Sequence, residues 1–505
     1  MRFNFLKSSL KTAVLATTIL LLGAGLAVAQ SVSLTAAPTT LITPDGATVQ
    51  MWGYTCGAVA APATCTNLNP AAAAGTWSPI VITVPPGSLA ISLTNSLPAG
   101  VPTSLTIVGQ LGGGLGTPSK VASPVHPDQT LTWPANGGAG DPTNHPPAQL
   151  PRVQSFGTEV APGATTALPS WGSLRPGTYL LESGTHPSIQ GPMGLYGILV
   201  VTTPGTAYPA VGTTPAVTYG ADIPMLFGEI DPVQNAAVAK AVTLPGFSET
   251  AVWSGQPGGC GNPATANSGN CYPPAVNYSP RYYVINGVAF DRTHPASSLF
   301  AASPATGVTG TVLVRMVNAG SRMHVPSIIG SLTGTAAAPG MGLIAEDGNP
   351  LPGVTRVQNE VFMAAGKTYD VMINVPAGTT ALPIYDRELS LSGNATARDA
   401  GMLAYISVNG ATLPGGAAMV PATANPDTYN SVIAGHTLNV SDPAKGVLAN
   451  DVNVYGAQVI GTVPTGLTFN TNGTFVYTGG VTASFTYCGN GATTGPACAC
   501  TCLRS

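Results

Sequence analysis

The sequence predicts an all-β protein assembled from sandwiches, and three observations carry that prediction. Charged residues make up only 7% of the chain, too few for the solvated faces of many surface helices. Glycine (62) and proline (47) recur throughout, as tight turns require. Between them stand short runs rich in Val, Thr, Ile and Tyr, the residues that suit a pleated, half-buried surface.

Taken in order, residues 1–29 carry Arg2, Lys7 and Lys11 ahead of an apolar run ending Ala27-Val28-Ala29, the pattern of an export signal with a small-residue cleavage site. No later run is long and apolar enough for a membrane-spanning helix, so a secreted, periplasmic or cell-surface bacterial protein is expected. Without the signal, 14 basic residues face 20 acidic ones, a net charge of about −6 that argues against nucleic acid as a partner.

Residues 31–204 contain GATVQMWGY, SPIVITVPPG, LAISLTNSLP, TSLTIVGQLG, GTYLLESG and GLYGILVV, strands at the spacing of a first β-sandwich. Residues 205–280 read as a Pro/Thr/Gly linker with one short helix, DPVQNAAVAKAV, capped by Asp231 with Pro232 in the first turn. Residues 281–409 form a second strand-rich block, and 410–426 a small-residue linker. Residues 427–505 form a third, smaller unit in which Asn472-Gly473 between two β runs predicts a hairpin. Its last residues, CACTCLRS, lack an evident closing strand, so the unit is read as a truncated repeat.

Eight cysteines in an exported chain point to disulfides. Cys56 with Cys65 and Cys260 with Cys271 would each close a short loop. The pairing of Cys488, Cys498, Cys500 and Cys502 is left open by spacing.

With these residues in view, the chain resembles the multicopper oxidase family. PDGATVQMWGY, VPPGSLAISLTNSLP and PGTYLLESGTHPSIQGPMGLYGILVV look like successive strands of a first cupredoxin domain. VINGVAF, VRMVNAGSRMH, LIAEDGNP and AAGKTYDVMINV look like a second. GVLAND (446–451) and NGTFVY (472–477) resemble the cadherin-like or Ig-like repeats of bacterial surface proteins. The resemblance implies two cupredoxin-like Greek-key sandwiches followed by a partial Ig/cadherin-like domain.

It also implies copper, and here the residues depart from the family. A trinuclear copper cluster needs His-x-His pairs, which put two imidazoles on one face of a strand. The six histidines form no such pair. The family's ligand places fall instead on Thr106 and Val108, and on Glu182 and Gly184. Ser183 stands where a thiolate would bind mononuclear copper, and a hydroxyl is a weak substitute. His186 and Met193 are the remaining candidate metal ligands, with His324 a third; a solvated or structural imidazole and a core methionine are the simpler readings of all three. His126 and His145 lie in Pro-rich loops, and His294 and His436 are expected at the surface.

No CxxCH haem motif, GxSxG elbow or Walker loop is present, and Ser183 beside Glu182 and His186 lacks an oxyanion element for hydrolysis. Two functions follow. One is an exported multicopper-oxidase-like protein with a degenerate copper site, serving as a structural or interaction component with cell-surface, matrix or self-association partners. The other is a copper oxidoreductase, acting on metal ions or phenols through a nonstandard site or a partner's third cupredoxin.

Overall fold

A computed structural model describes residues 30–110, 120–121, 152–153, 155–212, 214–245, 247, 278–304, 310–387, 401–417 and 419–505. The candidates His126, His145, Cys260 and Cys271 and the signal segment 1–29 lie outside these residues.

The protein is all-β, and its first two units are two-sheet β-sandwiches. In the first, one sheet contains β1 (Gln30–Ile42), β2 (Thr48–Ala60), β5 (Leu89–Asn95) and β7 (Thr165–Ala167) in the order β2-β1-β5-β7. The facing sheet contains β3 (Thr64–Asn67), β4 (Ile80–Val84), β6 (Thr106–Ile107), β8 (Gly177–Glu182) and β9 (Tyr196–Val201) in the order β3-β4-β9-β8-β6. β1 runs parallel to β5, and β4 parallel to β9. The period-2 pattern turns Val32 and Leu34, Ile91 and Leu93, and Ile80 and Ile82 into one core.

β9 is buried along its whole length. Leu199 and Val201 enter the first core, whereas Tyr196, Ile198 and Val200 pack with Leu226, Val284 and Val317 of the second sandwich. A strand covered on both faces reads as a continuous apolar run, which is why GLYGILVV lacks alternation. The strand is entered through Gly194, at φ +111°, where a Cβ would meet the Trp52 carbonyl oxygen at 2.6 Å.

The second sandwich starts earlier than the sequence suggests. β10 (Ala221–Ile230) falls within the expected linker 205–280, yet it pairs in parallel with β13 (Thr311–Asn318) over seven positions. Its sheet runs β11 (Tyr282–Ile285), β10, β13, β16 (Thr368–Asn374), β15 (Met341–Glu346). The opposing sheet runs β12 (Leu299–Ala301), β18 (Leu403–Ser407), β17 (Leu382–Asp386), β14 (Pro326–Ile328). The predicted helix is present. One-turn α1 (Pro187–Gln190) precedes it in the chain, and it is α2 (Pro232–Ala241), with Asp231 accepting from the Val233 and Gln234 amides at 2.9 and 3.1 Å.

The third unit stacks β19 (Asp427–Tyr429), β25 (Cys498–Leu503), β24 (Ala483–Gly489) and β21 (Ala457–Ile460), in that order, against β20 (Leu438–Val440), β23 (Phe475–Tyr477) and β22 (Leu467–Phe469). Asn472-Gly473 turns β22 into β23 as expected, with Gly473 at φ +80°. The expectation that CACTCLRS leaves the sandwich unclosed is corrected. β25 is an interior strand paired on both edges, with Ala499, Thr501 and Leu503 buried. An alanine, a threonine and one leucine stand at its inward positions and cysteines at its outward ones, so the alternation is present but weakly marked.

Among the described residues, no helix is long and apolar enough to cross a membrane.

Candidate functional site

The positions that the sequence singles out converge at one end of the first sandwich. β8 ends at Glu182, the chain turns through Ser183, Gly184 and Thr185, and His186 enters a left-handed conformation (φ 40°) as the N-cap of α1, with Pro187 in its first turn. This sharp turn directs Gln190, fully buried, back toward Ser183.

What fills the pole is a hydrogen-bonded set of hydroxyls and one amide, with the Glu159 carboxyl at its edge. Gln190 Oε1 accepts from the hydroxyls of Ser183 (2.7 Å) and Thr103 (2.8 Å), while its amide nitrogen donates to the Pro102 carbonyl at 2.8 Å. Beside it the hydroxyls of Ser104, Ser155 and Thr185 form a triangle with all three sides 3.0 Å. Glu159 Oε1 accepts a hydrogen bond from the Thr185 hydroxyl at 3.1 Å, and the Ser155 oxygen accepts from the Gly157 amide at 3.2 Å. From β2, the Tyr54 hydroxyl donates to the Ser104 carbonyl at 2.8 Å, and burial pushes its ionisation well up. These groups satisfy one another, which in a buried site is worth more than any one bond.

The expected ligand places are adjacent in space. Thr106 on β6 pairs with Glu182 on β8 and donates to its carbonyl at 3.2 Å, and a Cβ on Gly184 would lie 2.6 Å from the Thr106 methyl. Val108 lies past the end of β6, 41% exposed. Burial raises the Glu182 carboxyl to about 7. Thr106, Val108, Glu182 and Gly184 offer a hydroxyl, an isopropyl group, a carboxyl that resists ionisation and a hydrogen, none of them the nitrogen donor copper prefers.

His186 and Met193 stand at the two ends of the α1 turn. Met193 is 1% exposed and belongs to the core with Trp52, Ile189 and Leu195. Its carbonyl accepts from the Trp52 amide at 2.7 Å. Among the described residues, no group of three or more His, Cys, Asp or Glu side chains is placed to hold a metal ion.

His324 is no open ligand either. It is fully buried between two carboxylates, with Nε2 2.9 Å from Glu229 Oε2 and Nδ1 2.8 Å from Asp386 Oδ2. Desolvation pulls its pKa down, but the hydrogen bonds and charges of Asp386 and Glu229 outweigh it and raise it to about 9. The ring is therefore an imidazolium with both nitrogens donating, leaving no lone pair for a metal. The carboxylates are themselves held: Glu229 Oε1 accepts from the Ser321 and Arg322 amides at 2.7 and 2.9 Å, and Asp386 Oδ1 from the Val325 amide at 2.7 Å.

A second buried charge cluster went unread in the sequence. Arg315 on β13, 0% exposed, donates to Asp222 (2.8 Å), and across the junction to the hydroxyls of Thr178 (3.2 Å) and Thr202 (3.3 Å) of the first sandwich. Asp370, 3.8 Å from the guanidinium, accepts from Thr178 and Tyr208 at 2.5 Å each. Partners from 93 to 137 positions away gave no local signal. Near the third unit a cleft of about 940 Å³ opens between Asp45, Arg281 and Tyr282 on one side and Tyr455, Asn470 and Asn472 on the other.

Cys56 and Cys65 are bonded as expected, across β2 and β3, and Cys488 is bonded to Cys498. His294 and His436 lie at the surface, His294 against Asp291 at 2.9 Å.

The chain matches no protein-family model and no curated protein. Among solved structures it is similar to a blue copper oxidase from Nitrosomonas europaea (14% identity, 75% of this chain and 85% of that one, TM-score 0.45). It is also similar to the multicopper oxidase mgLAC (15%, 76% and 88%, 0.44) and to a copper nitrite reductase from Nitrosomonas europaea (14%, 75% and 93%, 0.43).

Proposed function

We propose that the chain is an exported, non-redox β-sandwich protein that serves as a structural or interaction component at a cell surface. The observation that carries this reading is the mutually bonded set of hydroxyls and one amide formed by Thr103, Ser104, Ser155, Ser183, Thr185 and Gln190, with one carboxyl, Glu159, at its edge, at the pole where the resemblance places copper. Neutral hydroxyls that are already bonded to one another have weak affinity for copper, and a histidine held by two carboxylates has none to spare. The signal-like start, the disulfides and the low charge support export.

The test is to purify the mature chain from the medium or envelope of its host, add copper(II), and record its visible spectrum and its oxidation of phenols and ferrous iron. The expected result is no intense charge-transfer band and no turnover above free copper. A blue protein, or oxidase activity lost on His186→Ala, overturns the reading. The surface role is checked separately by treating intact cells with a protease: loss of the chain supports it, and full protection inside the cell defeats it.

A further inference from the structure

The outer face of β25 carries a feature that the first sandwich does not explain. Along this strand Ala499, Thr501 and Leu503 point into the core, so Cys498, Cys500 and Cys502 share the opposite face. Cys498 is bonded across the sheet to Cys488, its register partner, with the two Cα atoms 4.0 Å apart. Cys500 and Cys502 remain thiols, Cys500 exposed and Cys502 partly so.

Strand geometry explains the difference. Residues two apart on a strand have Cα atoms about 6.8 Å apart and parallel Cβ directions. A disulfide needs Cβ atoms roughly 3.5–4.5 Å apart and side chains turned toward each other. β25 is paired with β24 along its whole length and with β19 over residues 501–503, which holds it extended. The two side chains are next to each other on that face of the strand. By register Thr486 lies opposite Cys500, Ser484 and Thr428 flank Cys502, and the Cys488–Cys498 disulfide is the next pair along the same face.

We propose that Cys500 and Cys502 form a two-thiolate clasp for a soft monovalent cation, copper(I) being the biological choice. Soft thiolates select such an ion, and two ligands suffice for it. Zinc(II) seeks four nitrogen or sulfur ligands, and the neighbouring hydroxyls do not supply the other two. Binding forms two sulfur–metal bonds, breaks two S–H bonds and releases two protons; no electron is transferred. The bound ion is colourless, so this site is separable from the blue centre tested above, and it stands or falls independently of the proposed function.

The full chain, kept under nitrogen, is titrated with copper(I) against a coloured copper(I) chelator, and X-ray absorption then counts the sulfur neighbours. One tightly held copper(I) with two sulfur ligands is expected, lost in both Cys500→Ser and Cys502→Ser and retained in Cys56→Ser/Cys65→Ser. The exposed position of Cys500 makes its serine variant safe for folding. Copper(I) uptake unchanged in either serine variant, equal retention of zinc(II), or recovery of the native pair as a disulfide within or between chains would each overturn the clasp.

Discussion

At the scale of single residues, two buried groups make quantitative expectations. Gln190 is the shared acceptor of Ser183 and Thr103, so Gln190→Leu leaves two buried hydroxyls without it. The two hydroxyls keep each other at 3.3 Å while the Pro102 carbonyl loses its donor, so a loss of about 1–3 kcal/mol is expected. Urea denaturation measures it, and an unchanged midpoint would show the network to be slack. His324 gives a pH dependence. Its folded pKa of about 9 lies above the ordinary 6.5, so its stabilising contribution is complete below about 6.5 and is lost as pH rises through about 9. Stability should fall across that window, and His324→Gln should flatten the slope. The sequence displayed His324 but not its partners, which arrive from 95 and 62 positions away. Ser183, Thr106 and Gly184 were legible as a cluster because one turn and one strand pair hold them. Gln190, Thr103 and Ser155 were not, because serine, threonine and glutamine look alike in solvent and in a closed network.

At the scale of elements, local chemistry was the better guide. Asp231 with Pro232 placed α2, and Asn472-Gly473 placed a hairpin, since both are decided by backbone demands within a few residues. Gly473→Ala puts a Cβ 2.8 Å from Leu448 at φ +80°, so the third unit should lose about 1–3 kcal/mol. Its melting, followed by the near-ultraviolet signal of Tyr477 and Tyr487, reads the effect. β10 and β25 were misread for opposite reasons. β10 follows a Pro/Thr/Gly stretch that reads as linker, although its own residues ADIPMLFGEI are apolar enough to be buried. β25 turns alanine, threonine and leucine inward and cysteines outward, which hides its period.

At the scale of the whole molecule, the junction of the first two sandwiches is held by an apolar layer and by Arg315. Arg315→Met strands Asp222 and Asp370, and breaking one partner of a buried charge set costs about 3–5 kcal/mol. Because Thr178 and Thr202 belong to the other sandwich, the substitution should also split one calorimetric transition into two. A single transition that moves down without splitting would show that the apolar layer and the bonds that remain, such as Thr368 to the Thr178 carbonyl, couple the pair without Arg315. The doubly covered strand β9 carries a practical corollary. Expressed alone, residues 31–204 would present Leu180, Tyr196, Ile198 and Val200 as a bare wall. Such a fragment is expected to clump, visible by light scattering, until residues 221–409 are supplied to shield it.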